Sequence, residues 1–382
     1  MELPKVNFMK KEKIDLLFIV ESAICKNDGY KARIEMEMGL LKDICNFSIL
    51  IPWEGHDVSF IQDVKVYSYN ALDEKYPFVL NARRLKRKLE EILCNKSDYT
   101  ICCEALPSAV CSYEVVKKYN CKLIYDCHGT APDEAYLYHK NIVGLIYANW
   151  LRRKQKEIIR KCDLLVTVSN KQYEIFETEK PYVLLPMLPA QQFLMDKNDK
   201  TSVRKSLGIP ENSIVFCYSG QNQKWQMSEE TISYYKKIED SLPNTFLYIL
   251  TGSEDAFKEI CLKNNIKNFA VKKVPYLEMQ YHLDAVDYGF CLRENHIINL
   301  VASPTKVLEY LARNVMPVLT PYVGDFSKEL AKEKLCIIVE DMELKAFNLD
   351  STIDGNKYVV DLIERMKQTY IKAVLNLGEK NV

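Results

Sequence analysis

The segment 299–312 has residue types and a spacing that suit phosphate binding. Ser303 is a good helix N-cap residue, and Pro304 suits the first helical position because its missing N–H has no partner there. Free amides at such a helix start attract an anion, and Lys306 adds a positive charge beside them, with Glu309 on the same face. The segment predicts a nucleotide site, with Lys306 and the amides for a diphosphate and Glu309 for ribose hydroxyls. On these residues alone, an exposed helix with an ordinary Lys–Glu pair explains the pattern equally well.

A second candidate is the polar loop after the apolar run 214–219, which begins at Gly220 and contains Lys224. Backbone amides in such a strand-to-helix turn can approach phosphate closely, and Lys224 would add charge. The loop has neither a dinucleotide fingerprint nor a P-loop motif, so an ordinary connection explains it equally well. A third apolar run, 288–294, has Arg293 near its end. The Arg293 side chain could contact a ligand there, or form an exposed ion pair of little energetic value.

His128 directly follows the apolar run 122–127 and precedes Gly129, with Glu134 shortly after. Active sites of parallel α/β sheets form at this edge of the strands, and a glycine there lets the backbone turn sharply or approach a ligand. A lone histidine in this position indicates catalysis only weakly. On these residues alone, a ring that bonds a loop carbonyl is the favoured interpretation.

Short apolar runs alternate with longer amphipathic patterns along the chain, which is typical of parallel sheets covered by helices on both faces. A polar stretch at 188–213 interrupts the alternation and indicates an interdomain link. We therefore predict an α/β fold with two doubly wound domains, at 1–188 and 189–355, followed by a helix within 356–382. Such sheets bind ligands at the carboxyl ends of their strands, and two facing sheets form a cleft. The strand-like runs are 14–20, 46–52, 64–69, 99–103, 122–127, 164–169, 182–186, 214–220, 246–252, 269–275, 288–294, 317–320 and 336–340.

Composition limits the classes of function. The 382 residues include 52 basic and 52 acidic side chains, and this balance argues against nucleic-acid binding through bulk charge. The 13 cysteines lie largely in apolar runs without zinc-site spacing, which indicates buried thiols in a reducing compartment. No apolar run is long enough for a signal peptide or a membrane span, so we predict a cytoplasmic protein.

Two basic segments predict contact with a membrane surface. The helical pattern 145–162 carries Trp150 and six basic residues, and a second basic group spans 83–88. Faces of this kind can rest on anionic lipid, which would place the protein peripherally at the inner face of the membrane. A solvated helix face is the more common explanation.

Together these residues resemble glycosyltransferase family 4, whose members are retaining enzymes of the GT-B fold. Residues 125–129 look like that family's D-x-H-G motif, and residues 163–169 look like its segment that ends in Thr-Val-Ser. Ser219-Gly220 with Lys224-Trp225 looks like the first loop of its C-terminal domain. The most specific match lies within 285–312, which is similar to the family's donor-binding core. The resemblance covers nearly the whole chain and is closest to bacterial surface-polysaccharide members.

The resemblance implies transfer of a sugar from a nucleoside-diphosphate donor to a hydroxyl of a glycan or lipid-linked acceptor. It implies no metal, no further cofactor and no protein nucleophile, and it places the donor in the C-terminal domain. Glu309 would hold the ribose, the lysines the diphosphate, and His128 would lie near the transferred sugar. The implied catalytic residues are His128, Lys224 and Lys306; the donor-binding residues are Gly220, Gln221, Arg293, Asn299, Ser303, Pro304, Thr305 and Glu309; and the acceptor-side residues are Gly29 and Glu134.

Three positions depart from the family's pattern. Val301 stands where an acidic residue usually precedes the second Glu, Gln221 stands where a basic residue often follows the glycine, and Gly29 alone remains of a glycine-rich N-terminal loop. Two alternatives therefore stay open. A nucleotide-sugar epimerase of the same architecture would need carboxylates beside the sugar. The missing acid at Val301 also leaves room for a non-catalytic glycosyltransferase-like partner subunit.

Overall fold

The computed structural model describes residues 12–21, 29–53, 64–72, 78–96, 98–347 and 353–378. In these ranges the chain forms two parallel β-sheets, one of 7 and one of 6 strands. The first sheet consists of β1 (Ile14–Ile19), β2 (Cys45–Pro52), β3 (Lys65–Tyr69), β4 (Thr100–Cys103), β5 (Lys122–Cys127), β6 (Leu164–Thr167) and β7 (Tyr182–Leu184). Its strand order is β3-β2-β1-β4-β5-β6-β7. The helices of this domain are α1 (Gly29–Leu41), α2 (Ala82–Asn95), α3 (Leu106–Lys118), α4 (Ala131–Tyr138), α5 (Ile142–Lys161) and α6 (Asn170–Ile175).

The second sheet follows the interdomain link. It consists of β8 (Ile214–Ser219), β9 (Thr245–Leu250), β10 (Phe269–Lys272), β11 (Tyr288–Cys291), β12 (Met316–Leu319) and β13 (Ile337–Ile338). Its strand order is β10-β9-β8-β11-β12-β13. The helices are α7 (Lys200–Leu207), α8 (Ser228–Ser241), α9 (Glu254–Lys263), α10 (Met279–Leu283), α11 (Ile297–Leu300), α12 (Thr305–Ala312), α13 (Phe326–Lys332) and α14 (Gly355–Gly378). Short 3₁₀ helices lie at Phe78–Asn81, Gln191–Leu194, Lys224–Gln226 and Tyr276–Glu278.

Each strand-like run of the sequence overlaps an observed strand, so the prediction of an α/β fold with two doubly wound sheets is confirmed. Every residue of β4, β8 and β9 is buried, because helices cover both faces of a parallel sheet. Cysteines such as Cys102 and Cys217 are fully buried in these strands and act as small apolar residues. Each described cysteine is a free thiol.

The last helix, α14, returns from the second domain to the first, which confirms the predicted crossing. It packs on α12 and also on α1, β6 and β7. At its first residue, Gly355, a Cβ atom would lie 2.6 Å from the carbonyl oxygen of Leu311, so glycine permits the close approach to α12. Tyr370 of α14 donates its hydroxyl to Glu37 of α1 at 2.8 Å. Among the described residues, no helix has the length and apolar character needed to span a membrane.

Arg33 of α1 is buried and joins the first sheet to the interdomain link, which in the structure begins at Leu185, directly after β7. Its guanidinium donates to both carboxylate oxygens of Asp126 in β5, at 3.0 and 2.9 Å, and to the carbonyl oxygens of Leu185 and Pro186, at 2.7 and 3.1 Å. Glu37, one turn along α1, lies 2.7 Å from Nε of Arg33. A buried charge is tolerated only when it is paired and hydrogen-bonded, so this network fixes where α1, β5 and the link meet.

Replacing Arg33 by methionine tests this network. The change leaves the Asp126 carboxylate buried without its cation, and we expect a loss of about 3–5 kcal/mol in the free energy of unfolding. The double variant Arg33→Met/Asp126→Asn should lose less, because it removes both charges. Urea unfolding measures both values. The exposed Arg84→Met on α2 is the matched control, with an expected change of about 0.5 kcal/mol or less; an Arg33→Met loss no larger than that of the control would contradict the network.

Candidate active site

The carboxyl ends of the two sheets face each other across a cleft. Helix α4, which follows Gly129 beyond β5, packs on α11 of the second domain. The rings of Tyr138 in α4 and Trp225 in the loop after β8 meet edge to face, with centroids 5.9 Å apart. Elsewhere at the domain junction, the Ser169 hydroxyl donates to the carbonyl oxygen of Val301 at 2.8 Å. The loops after β5 and β8 therefore line opposite walls of one cleft.

Lys306, in the first turn of α12, lies against the loop after β8. Its Nζ donates to the carbonyl oxygen of Ser219 and, at 3.1 Å, to Oε1 of Gln226, and it stands 4.8 Å from the ring centroid of Tyr218. Gly220 has a φ of 138°, and a Cβ atom there would lie 2.8 Å from Nζ of Lys306. The positive φ favours glycine at this position, and the absence of a side chain leaves room for the lysine ammonium. The structure thus brings together Gly220 and Lys306, two residues that the sequence predicts at the diphosphate.

A second cation, Arg293, lies beside Lys306. The Arg293 side chain is buried, and its Nη1 donates to the carbonyl oxygens of Leu292 at 2.9 Å and Gln226 at 3.4 Å. Burial lowers the pKa of Lys306 to about 8, and the nearby charge of Arg293 acts in the same direction. An anion bound between these two groups would relieve their repulsion and favour the charged lysine.

Glu309 lies one turn further along α12, where it is only 6 % exposed. Its Oε1 accepts a hydrogen bond from the hydroxyl of Tyr276 at 2.8 Å. Burial raises the pKa of Glu309 to about 7, although the Tyr276 bond and the charge of Lys306 act to lower it. A carboxylate in this state gains from further hydrogen-bond donors, and ribose hydroxyls are donors of that kind.

The start of α12 differs from the sequence-based expectation. The helix begins at Thr305, and Pro304 holds the N-cap position without a side-chain cap. The predicted cap by Ser303 is wrong, because its hydroxyl accepts from the backbone amide of Met187 in the interdomain link at 3.0 Å. Because the helix begins one residue later than expected, Ser303 lies outside the N-cap position and its hydroxyl bonds to the link instead. The first amides of α12 therefore have no side-chain cap and stay suited to an anion.

Other predicted donor residues lie at neighbouring loops. The Gln221 side chain lies over Gly252, and its Oε1 accepts from the Ser253 hydroxyl at 3.0 Å. Asn299 is buried, and its Nδ2 donates to the carbonyl oxygen of Glu294 at 3.1 Å. These contacts order the loops after β9 and β11. Lys224 begins the 3₁₀ helix Lys224–Gln226, but its side chain falls outside the described part of the chain.

On the opposite wall, His128 follows β5 with 20 % of its side chain exposed. Its Nε2 lies 2.6 Å from Oδ2 of Asp126 and 3.3 Å from Oε2 of Glu104. Burial acts to lower the pKa of the ring, but the charge of Asp126 and the bonds to both carboxylates outweigh burial and raise the pKa to about 9. His128 is therefore an imidazolium at neutral pH, a hydrogen-bond donor with a full charge at the cleft wall.

The carboxylates behind His128 form a group that could hold a metal ion. Glu37, Glu104, Asp126 and His128 bring ligand-type atoms within 4.8 Å of one another. Arg33, however, donates to both Asp126 oxygens and lies against Glu37. Burial acts to raise the pKa of Asp126, but Arg33 and His128 outweigh it and hold that pKa well below its ordinary value. The chain's own cations thus compensate these carboxylates, and the absence of a metal requirement stays a prediction.

The predicted acceptor-side residues are Gly29 and Glu134. Gly29 is the first residue of α1, and the segment before it, residues 22–28, lies outside the described residues. The Glu134 carboxylate lies so close to Gly129 that a Cβ atom there would overlap its Oε1. Burial raises the pKa of Glu134, against the effects of the Thr130 backbone and His128. The structure thus places Glu134 beside His128 on the same wall.

Several residues of the two walls escaped the sequence analysis. Glu104 directly follows β4, in the same relation that His128 has to β5, and this position after an apolar strand was a usable signal. Arg33 stands four residues before Glu37, a spacing that usually indicates a surface ion pair. Gln226 and Tyr276 lie in short 3₁₀ helices, and no sequence pattern predicts their contacts.

A cavity of about 310 Å³ lies at the hinge between the domains rather than in the cleft. Ser169, Ser303 and Asp325 line it, together with side chains of α13 and α14. Of the residues predicted to bind the donor, Ser303 alone lines this cavity. The residues suited to chemistry at the strand ends therefore form a separate site.

The charge of His128 makes the folding stability depend on pH. Its folded-state pKa of about 9 lies above the ordinary value of 6.5, so its stabilising effect is fully present below pH 6.5 and is lost as the pH rises through about 9. We expect the wild-type Tm to fall over this interval more steeply than that of His128→Gln, which does not titrate there. Calorimetric scans of both proteins across the interval give the difference, and parallel curves would contradict a charged imidazole.

No protein-family model matches the sequence, and no curated protein does. Solved structures match nearly the whole chain. Sucrose-phosphate synthase from Thermosynechococcus elongatus has a TM-score of 0.68 at 11 % identity, covering 96 % of this chain and 95 % of that one. A glycosyltransferase from Rickettsia africae ESF-5 has a TM-score of 0.61 at 14 % identity, covering 96 % of this chain and 94 % of that one. HepE of Anabaena in complex with UDP-glucose has a TM-score of 0.58 at 13 % identity, covering 94 % of this chain and 92 % of that one. These similarities show that the chain has the two-domain GT-B fold.

Proposed function

We propose that the protein is a retaining glycosyltransferase. It moves a sugar from a nucleoside-diphosphate sugar to a hydroxyl of a glycan or lipid-linked acceptor, in the synthesis of a bacterial surface polysaccharide or glycoconjugate. The observation that carries this proposal is the convergence of Lys306 and Arg293 on the Gly220 loop, at the uncapped start of α12. The known structures of similar fold support it, since one is described as a glycosyltransferase and another contains UDP-glucose.

The donor occupies the second domain. Its diphosphate lies among Lys306, Arg293, the amides that follow Gly220 and those at the start of α12, where cations and uncapped donors converge. Its ribose hydroxyls bond to Glu309, which Tyr276 holds in position through their 2.8 Å hydrogen bond. The sugar then extends across the cleft toward the opposite wall. Ser303 and Asn299 act indirectly, by ordering the backbone that presents these groups.

The chemical step develops charge where these cations lie. The bond between the anomeric carbon and the diphosphate oxygen breaks, and its electron pair stays on that oxygen. Lys306 and Arg293 stabilise the resulting negative charge. The acceptor hydroxyl bonds to the anomeric carbon on the same face, and its proton passes to the leaving phosphate oxygen. No protein nucleophile and no metal take part in this sequence.

The first domain supplies the sugar end of the site. His128, charged and partly exposed, donates a hydrogen bond to a sugar hydroxyl, and Glu134 beside it accepts one from the sugar or the acceptor. The packing of α4 on α11, and of Tyr138 on Trp225, narrows the cleft around the transferred sugar. Exclusion of water at this stage protects the donor from hydrolysis.

The experiments described below also distinguish two other functions. The carboxylates Glu104 and Glu134 near His128 suit an epimerase, which would change the sugar without an acceptor. Val301 is fully buried, and its carbonyl is held by Ser169, so no carboxylate enters the site from this position. That feature suits a non-catalytic partner subunit, which would bind nucleotide without turnover.

Nucleotide binding tests the donor site directly. Glu309→Gln and Lys306→Met should each weaken binding of UDP by roughly 10- to 100-fold, because loss of a charge-assisted hydrogen bond costs about 1.5–3 kcal/mol. Calorimetry with UDP, GDP and ADP identifies the preferred nucleotide first. Glu259→Gln on the exposed face of α9 is the matched control and should bind like the wild type. Equal affinity of all variants, or no binding of any nucleotide, would refute the donor site.

Turnover tests the reaction. With a nucleotide sugar and a panel of acceptors, the wild type should release nucleoside diphosphate only when an acceptor is present, and should do so in EDTA. His128→Ala should lower kcat on the order of 100-fold, because a hydrogen bond from a charged donor to the transferred sugar contributes about 1.5–3 kcal/mol. Its UDP affinity should stay unchanged, since His128 lies on the opposite wall. The exposed His139→Ala is the matched control.

The products separate the alternatives. NMR of the product should show the same anomeric configuration as the donor, and inversion would overturn the retaining mechanism. Conversion of the sugar without acceptor would indicate an epimerase. Nucleotide binding without turnover on any acceptor would favour the non-catalytic subunit. Loss of activity in EDTA, restored by a divalent ion, would show that a metal is required.

A further inference from the structure

The start of α5 exposes an unusual number of large apolar side chains. Ile142 and Val143 are each 70 % exposed, Ile146 is 64 % exposed, and Leu145 and Trp150 also stand at the surface. Isolated apolar residues at a surface are ordinary, but a contiguous group marks an interaction site. The sequence drew attention to the basic residues of this helix, and the structure adds an apolar tip, defined here as residues 142–150.

Local structure holds this tip in a fixed place. The Asn141 side chain caps α5 by accepting from the amide of Gly144 at 2.8 Å. A Cβ atom on Gly144 would overlap the carbonyl oxygen of His139, so glycine lets the first turn of α5 pack tightly against the end of α4. Ala148 and Leu151 are buried on the inner face of the helix. The exposed apolar residues therefore stand outward on an ordered helix.

Charge on the same helix favours one kind of partner. Helix α5 contains six basic residues and a single acidic one, Glu157. Ile142, Ile146 and Arg153 follow the helical repeat along one exposed face, which is apolar in its first turns and basic further on. Lys156 is also exposed in the basic half. The apolar end of the helix suits the hydrocarbon of a bilayer, and the cations that follow it suit the anionic headgroups above that hydrocarbon.

The second basic segment predicted from the sequence lacks this combination. In α2 the apolar residues Leu85, Leu89, Ile92 and Leu93 are buried against the domain. Its outward face presents charge alone, such as Arg83 and Arg84. Surface charge by itself gives weak binding that salt screens. The apolar tip of α5 distinguishes the two segments.

We propose that the protein docks on anionic lipid bilayers through the apolar tip of α5. Ile142, Val143 and Ile146 enter the boundary between headgroups and acyl chains, and Arg153 and Lys156 contact lipid phosphates. Because α4 borders the cleft and leads directly into this tip, docking sets the first-domain wall of the cleft close to the membrane. Delivery of a lipid-linked acceptor there rests on the proposed function, whereas the docking itself does not.

Sedimentation with vesicles of phosphatidylcholine and phosphatidylglycerol tests the docking. The wild type should bind at low salt and keep part of its binding at high salt, because the apolar contribution is not screened. Ile142→Ser/Ile146→Ser should lower the vesicle affinity by about tenfold or more, since burial of each methylene contributes about 0.8 kcal/mol. Arg153→Gln/Lys156→Gln should weaken binding at low salt and flatten its salt dependence.

Leu262→Ser on α9 is the matched control, because Leu262 is 68 % exposed but belongs to the second domain. It should bind vesicles like the wild type, and thermal unfolding should show that all variants are folded. Absence of wild-type binding at low salt, or unchanged binding of the Ile142→Ser/Ile146→Ser variant, would overturn the proposal. A wild-type dimer that this variant dissociates, seen by analytical ultracentrifugation, would instead assign the tip to self-association. Vesicle binding without any nucleotide binding would leave the docking intact and refute only the proposed function.

Discussion

The buried guanidinium of Arg33 must find all of its hydrogen bonds inside the protein, and much of the first domain is arranged around that need. Asp126 receives two of these bonds and the link carbonyls of Leu185 and Pro186 receive others. Arg33 keeps Asp126 ionised, and Asp126 in turn bonds His128 and keeps its ring charged at the cleft wall. Through Glu37 the same network reaches Tyr370 of the terminal helix. Strand β5, the link and α14 are therefore fixed relative to one another.

The two walls of the cleft carry opposite arrangements of charge. Behind His128 the carboxylates of Asp126 and Glu104 keep the ring protonated, which suits hydrogen bonding to neutral sugar hydroxyls. At the Gly220 loop, burial and then the nearby charge of Arg293 lower the pKa of Lys306, and this pair of cations suits a multiply charged phosphate. This division supports the proposal that the diphosphate binds to the second domain and the sugar lies against the first.

The sequence predicts the strands well because both faces of a parallel sheet are buried. Nearly every residue of such a strand is therefore apolar, and the strand is visible as an apolar run. It fails where a partner is distant in the chain. The hydroxyl of Ser303 bonds to an amide 116 residues away, so its local suitability as a helix cap was misleading. Arg33 and Asp126 are 93 residues apart, and Tyr276 and Glu309 are 33 apart. The apolar tip of α5 was missed for a related reason: apolar residues at helical spacing normally indicate a buried face, and only the packing shows that these face outward.

The central claim is that a nucleoside diphosphate binds where Lys306 meets the Gly220 loop. Hydrogen–deuterium exchange with and without saturating nucleotide tests it most directly. The account predicts slower exchange of the backbone amides at 219–226 and 305–308, where the loop after β8 and the first turn of α12 donate to the diphosphate. Exchange in α9 should stay unchanged. Protection confined to the hinge cavity around Ser169 and Asp325, or to the first domain, would contradict it.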